Sequence, residues 1–285
     1  MKVFLPAAPG ARSIVDRWNP ATTGEPQFHV TLEAILPQTA GAPALAHETL
    51  CAPVKTGGDN TPSILEISRA YYETGKHTVF DTCTSLLGLQ EAANTGKFPV
   101  TLNISVASAL DPGFFQAIDE YVQAQRLNPE DIIFEILEHD VDPNADADHL
   151  QHLKRKGYRF ALDDFGTGTS RQNRLTVFGK HVDFIKVDGP FIRSFLHDSG
   201  FISPYDRQEG SPAHCSNDLE AILTGLHTFF AQRNIPTPSL IAERPHTCQE
   251  ITTLTQMGFT GFQSRYMFVG RCALPVRSCN ALEPV

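Results

Sequence analysis

The sequence predicts an α/β protein folded as one (β/α)8 barrel of the TIM type, and three observations carry that expectation. Eight short runs are apolar, or alternate apolar with polar residues, as strands do. Most are separated by a run of helical periodicity, the order expected of a parallel sheet wrapped by helices. A chain of 285 residues suits one such barrel. An open doubly wound sheet fits less well, because no Gly-rich dinucleotide loop follows an early strand.

Residues 1–27 are rich in Pro, Ala and Gly, hold the single tryptophan, Trp18, and read as an irregular lead-in; residues 28–285 read as the barrel domain. Phe28 to Leu36 alternates and gives the first strand, Ala44 to Ala52 the second. A Gly-rich loop over Lys55 to Asn60 leads to Thr61-Pro62, a helix start with Pro at the first position. Helices follow over Ile64 to Thr74 and Phe80 to Asn94. Phe98 to Ile104 is the third strand, and Asp111-Pro112 caps a helix to about Gln125. The fourth strand, Ile132 to Leu137, embeds Glu135 among apolar neighbours, and a helix over Asp146 to Lys156 is closed by Gly157. The fifth strand starts at Tyr158 and ends in Asp163, Asp164 and a Gly-Thr-Gly turn. The sixth, Val182 to Val187, contains Lys186. Residues 198–217 turn to Gly, Ser, Pro, Asp and His and read as a polar insertion. A helix over Asp218 to Gln232, a seventh strand from Ser239 to Ala242, a helix over His246 to Met257 and an eighth strand over Gly261 to Val269 complete the barrel.

Composition narrows the function. The 23 basic and 32 acidic residues give a formal net charge of -9, which disfavours binding to long nucleic acid, since phosphate contacts need a basic face. The six cysteines are scattered without a C-x-x-C pair and read as free thiols. No apolar block is long enough for a signal peptide or a membrane span, so the sequence reads as cytoplasmic and free of the membrane.

In such a barrel the chemistry sits at the C-terminal ends of the strands. There this chain delivers Glu48, Asn103, Glu135, Asp163 with Asp164, Lys186, Glu243 and Gln263. Adjacent carboxylates repel and resist burial, so Asp163-Asp164 at a strand end calls for a cation. Carboxylate and amide oxygens suit hard divalent ions such as Mg²⁺ or Mn²⁺. Two such ions held roughly 3.5–4 Å apart support in-line attack on phosphorus. Lys186 follows Phe184-Ile185, so its stem packs while its ammonium reaches the cleft. His47 is set aside, because alternation turns it away from Glu48.

Six motifs, in order and spacing, make the chain resemble the EAL-domain cyclic di-GMP phosphodiesterases over roughly Phe28 to Pro275. Asp163 to Gly168 is identical to the family's D-D-F-G-T-G, and Asn103-Ile104-Ser105 matches N-[VI]-S. Glu135 to Glu138 stands for E-x-T-E, Ile185 to Asp188 for L-K-[IV]-D, Ala242-Glu243 for the start of A-E-G-V-E, and Gln263 for the Gln of Q-G. The resemblance implies a barrel whose first strand is antiparallel to the others. It implies two divalent ions on Glu48, Asn103, Glu135, Asp163 and Asp164. Lys186, Glu243 and Gln263 become the catalytic groups, Glu138 the anchor of the loop after Asp164, and Leu50 and Asp188 substrate contacts. The implied reaction is hydrolysis of cyclic di-GMP to linear pGpG; the resemblance also allows a homodimer and a regulatory protein partner.

Three departures carry weight. E-A-L is Glu48-Thr49-Leu50, which keeps the acid. The family's phosphate-binding Arg is Ala52, and losing such a charged hydrogen bond costs roughly 1.5–3 kcal/mol of binding. E-G-V-E has become Glu243-Arg244-Pro245-His246, with Arg244 and Arg265 as candidate replacement cations. Ala52, Pro245 and His246 favour an alternative expectation, a catalytically impaired domain acting as a cyclic di-GMP sensor or a protein-interaction module.

Overall fold

The structure, a computed structural model, describes residues 28–39, 42–54, 61–166, 171–200 and 219–264. The lead-in, the loop at 55–60, most of the 198–217 insertion and the tail from Arg265 lie outside the described residues.

Eight strands close into a barrel in sequence order: β1 (Phe28–Pro37), β2 (Ala46–Pro53), β3 (Val100–Ile104), β4 (Ile132–Ile136), β5 (Arg159–Phe165), β6 (Phe184–Val187), β7 (Ser239–Glu243) and β8 (Phe259–Gln263). β1 pairs antiparallel with both β2 and β8, and every other pair is parallel. The connection over residues 38–45 is too short for a helical crossover, so β2 must return antiparallel to β1.

The outward faces of the strands meet the helices. Leu102, Ile104, Phe134, Ile136, Phe160, Leu162, Ile185 and Val187 join Phe114, Phe115, Ile118, Leu150, Phe178 and Ile192 in the main core. Inside the barrel Ile35, Ala46, Ile133, Ala161 and Ile241 form a second, smaller core that plugs one end.

The helices differ from the sequence expectation in detail. Ser63 caps Ile64–Glu73 through a capping box with Glu66, so Pro62 precedes the helix instead of opening it. The next helix begins at His77, and Asp146 to Asp148 precede the helix His149–Lys156, with Asp148 N donating to Asp146 Oδ1 at 2.8 Å. Helices Arg171–Phe178 and Gly189–Asp198 were not expected. The eighth strand starts at Phe259, two residues before the expected Gly261, because Met257 and Gly258 already end the preceding helix.

Candidate active site

The period of a strand positions the site. Side chains alternate between faces, so the interior plug residues dictate what comes two positions later. Ala46 leads to Glu48, Ile133 to Glu135, Ala161 to Asp163 and Ile241 to Glu243. The same step carries Phe184 to Lys186, Thr101 to Asn103 and Gly261 to Gln263. The barrel therefore stacks a polar layer directly above an apolar plug.

Alternation is broken once. Asp164 follows Asp163 directly with φ +48, in the left-handed region, where the β5–β6 register shifts between Leu162 and Phe165. Short polar residues tolerate that conformation, and it turns a second carboxylate toward the mouth. Ligand oxygens of Asp163, Asp164 and Glu243 all lie within 4.8 Å of one another.

Lys186 is the hub of this layer. Its Nζ lies 2.9 Å from Asp163, 3.0 Å from Glu243, 3.1 Å from Glu135 and 3.3 Å from Glu48. The expected packed stem is present, but the ammonium is itself buried, with 1% of the side chain exposed. Asn103 Nδ2 donates to Glu48 Oε1 at 3.0 Å, and Gln263 Nε2 donates to Glu48 Oε2. Seven expected residues thus meet in one buried layer, with Asp164 beside them.

Burial disfavours the charge on Lys186, yet Asp163, Glu135, Glu48 and Glu243 outweigh it and hold the ammonium well above the usual lysine range. Glu48 is raised by burial but pulled below the usual range by Lys186, Gln263 and Asn103. Burial pushes Glu135 well above it, against Lys186 and with help from Glu48 and Asp163. Burial and then Asp163, Glu243 and Asp188 push Asp164 up to about 8. Burial, Asp163 and Glu48 take Glu243 to about 7 against the pull of Lys186. One lysine does not neutralise five acids, and the surplus negative charge is what a hard divalent ion neutralises. The oxygen-only donor set of Asp163, Asp164 and Glu243 fits a hard divalent ion.

The remaining expected residues lie around this layer. Leu50 is half-buried on the face of β2 that carries Glu48. Asp188 is buried between β6 and the helix Gly189–Asp198, close enough to raise Asp164. Glu138 is half-buried just beyond β4, and its expected loop contact falls on residues 167–170, outside the described residues. His47 does sit on the other face, with Nδ1 3.4 Å from Pro99 O.

Sequence reasoning missed Arg174. It is fully buried, and its Nη2 donates to Ile136 O and Asp163 O, each at 2.7 Å, tying the ends of β4 and β5 beneath the acids. Its spacing of four from Phe178 on one helix face was the available signal. The turn after Glu243 is also anchored: Glu250 accepts from His246 N at 2.5 Å, from Thr247 N at 3.0 Å and from Arg193 Nη1 at 2.7 Å.

Residues 23–200 match the family model described as EAL domain. Among curated proteins, the cyclic di-GMP phosphodiesterase PdeF of Escherichia coli (strain K12) is 31% identical over 113 residues, which is 38% of this chain and 15% of PdeF. The probable cyclic di-GMP phosphodiesterase PdeA of the same organism is 25% identical over 160 residues, 55% of this chain and 19% of PdeA. The chain therefore spans under a fifth of either relative. The fold is like that of the FimX EAL domain from Pseudomonas aeruginosa bound to c-di-GMP, with a TM-score of 0.63 at 20% identity over 91% of this chain and 96% of that one. It is also like the PaMucR phosphodiesterase in its c-di-GMP complex, with a TM-score of 0.60 at 18% identity over 91% and 94%.

Proposed function

We propose a function from one premise: this chain belongs to the EAL domain family. On our reading it is a metal-dependent phosphodiesterase that hydrolyses cyclic di-GMP to linear pGpG. The observation that carries this is the buried hub, in which Lys186 touches four carboxylates drawn from four strands. A protein gains little stability from such a cluster, because desolvation offsets the Coulomb attraction. Chemistry is the better reason to hold it.

Glu48, Asn103, Glu135, Asp163 and Asp164 would hold two divalent ions, Mg²⁺ or Mn²⁺, with Glu243 beside the aspartate pair. When bound, those ions activate water and offset phosphate charge. The chain supplies the rest. Asn103 and Gln263 each donate to one oxygen of Glu48, which fixes that carboxylate. Arg174 fixes the backbone of Asp163. Lys186, kept cationic, offsets negative charge as the water oxygen bonds to phosphorus and the P–O bond to the ribose breaks. Leu50 and Asp188 contact the ligand at the rim, and Glu138 is the proposed anchor for the residues after Asp164. The reading includes a homodimer, a regulatory protein partner and a cytoplasmic location; no helix among the described residues is long and apolar enough to cross a membrane.

The test is incubation of the full chain with cyclic di-GMP and Mg²⁺ or Mn²⁺, following pGpG by chromatography. Metal-dependent pGpG supports the reading. Tight binding of cyclic di-GMP with no product supports the alternative, a sensor or interaction module, which Ala52 on the rim of β2 favours.

A further inference from the structure

We propose that Arg244 is a ligand-binding residue: its guanidinium grips the phosphate of the substrate that is not under attack, and the missing side chain of Gly189 makes its seat. This rests on the phosphodiesterase reading and names a residue that the reading leaves unused.

The backbone gives the first argument. Among the described residues, four non-glycines have left-handed φ: Arg126 at +56, Asp164 at +48, Asn234 at +53 and Arg244 at +56. Arg126 closes the helix Pro112–Gln125 and Asn234 follows the helix Leu219–Gln232, places where left-handed residues serve as caps. Asp164 and Arg244 instead sit at strand ends around the mouth. Arginine has no short polar side chain to ease this conformation, and glycine would adopt it without steric cost. Arg244 is held there all the same, its N–H bonded to Gln263 O at 2.7 Å. A strained residue kept at a candidate active site points to a use for its side chain.

Packing gives the second. A Cβ on Gly189 would meet Arg244 Cγ at 2.6 Å and Nε at 2.7 Å, with Cδ closer still. Gly189 has no left-handed φ and opens a helix, where alanine is the better former. Its lack of a side chain is what lets the Arg244 stem lie across from the exit of β7 to the exit of β6.

Charge gives the third. A ligand with two phosphodiesters brings two negative charges to a mouth lined by Asp163, Asp164, Asp188 and Glu243. Among the described residues, Lys186 and Arg174 are buried beneath that mouth, whereas Arg244 is exposed, on the side from which a ligand arrives. The guanidinium fork matches a phosphate with two parallel hydrogen bonds.

The experiment compares two substrates with Mn²⁺: cyclic di-GMP, and bis(p-nitrophenyl) phosphate, which has a single phosphodiester and nothing for Arg244 to grip. R244G should lower kcat/KM for cyclic di-GMP at least tenfold more than for the small substrate, the effect a charge-assisted hydrogen bond carries. The loss should lie in KM, while the melting temperature does not fall. R244K should recover part of it. G189A, which keeps every charge, should shift KM in the same direction by unseating the stem. An equal loss on both substrates, or a KM for cyclic di-GMP within twofold of wild type, overturns the proposal. Where wild type turns over neither substrate, the phosphodiesterase reading fails on its own. Arg244 is then judged by calorimetry with cyclic di-GMP: a tenfold weaker Kd in R244G supports it, and an unchanged Kd or no wild-type binding overturns it.

Discussion

Replacing Lys186 with methionine keeps most of the stem and removes the ammonium from four carboxylates at 2.9–3.3 Å. The side chain of Glu135 is 0% exposed, those of Glu48 and Asp163 are 9% exposed, and that of Glu243 is 17% exposed, so water cannot replace the lost cation well. Removing one partner from a buried ion pair costs about 3–5 kcal/mol. Here protonation limits the loss, because Glu135 and Glu243 already hold protons above the usual range. As pH rises past about 7, the value Glu243 takes beside Lys186, less of that relief remains and the penalty grows. With roughly 2–4 °C per kcal/mol for a domain of this general size, Lys186→Met should melt about 6–20 °C lower at pH 8 in EDTA. At pH 6 the drop should be smaller, and Mn²⁺ should recover part of it at either pH. Circular dichroism melts of both proteins supply the comparison. Equal melting temperatures at pH 8 without metal would show that Lys186 is not the counter-ion that holds the acids together.

The wild-type chain should itself lose stability as pH rises when no metal is present. Glu243 is raised from 4.5 to about 7, so the native state binds its proton more tightly than the unfolded chain does. The stability it contributes is complete below pH 4.5 and lost as pH passes through about 7, a change of about 3 kcal/mol. Asp164, pushed up to about 8, extends that window upward. Denaturant melts in EDTA between pH 5 and 9 should show the decline and Mn²⁺ should flatten it; a flat profile in EDTA would refute the surplus-charge account. Arg174→Met should destabilise the fold by about 3 kcal/mol, since its Nη2 donates to two carbonyls in the core, and weaken Mn²⁺ binding measured by calorimetry. R244G should raise stability by about 1 kcal/mol in urea melts, by relieving a left-handed arginine. A clear loss would mean that the Arg244 stem is chiefly a packing element.

Much of this site was legible because a strand repeats every two residues. Ile133 before Glu135, Ala161 before Asp163 and Phe184 before Lys186 are apolar-then-polar steps on one face, and closing the barrel makes them converge. The helices after β5 and β6 were not legible. Arg171–Phe178 opens with Arg-Gln-Asn-Arg, four polar residues that show no apolar period, although Arg174 is buried. No helix is expected over Gly189–Asp198, although proline is at home in a first helical turn and Pro190 stands in this one. The depth of Lys186 escaped for a related reason: a lone lysine after two apolar residues reads as a packed stem whose ammonium reaches an open cleft, and only the closed barrel brings four carboxylates to its ammonium. The left-handed Arg244 depends on the exit of β7 meeting β8 through Gln263, a long-range contact that no local pattern encodes.

The most direct test of the account is hydrolysis of cyclic di-GMP by the full chain with Mn²⁺, beside Glu48→Gln, which keeps the shape of the side chain and removes its charge. The account predicts pGpG from the wild type, none with EDTA, and a loss of at least a hundredfold in Glu48→Gln. A folded, Mn²⁺-loaded wild type that binds cyclic di-GMP and yields no pGpG, or a Glu48→Gln variant as fast as wild type, would contradict it.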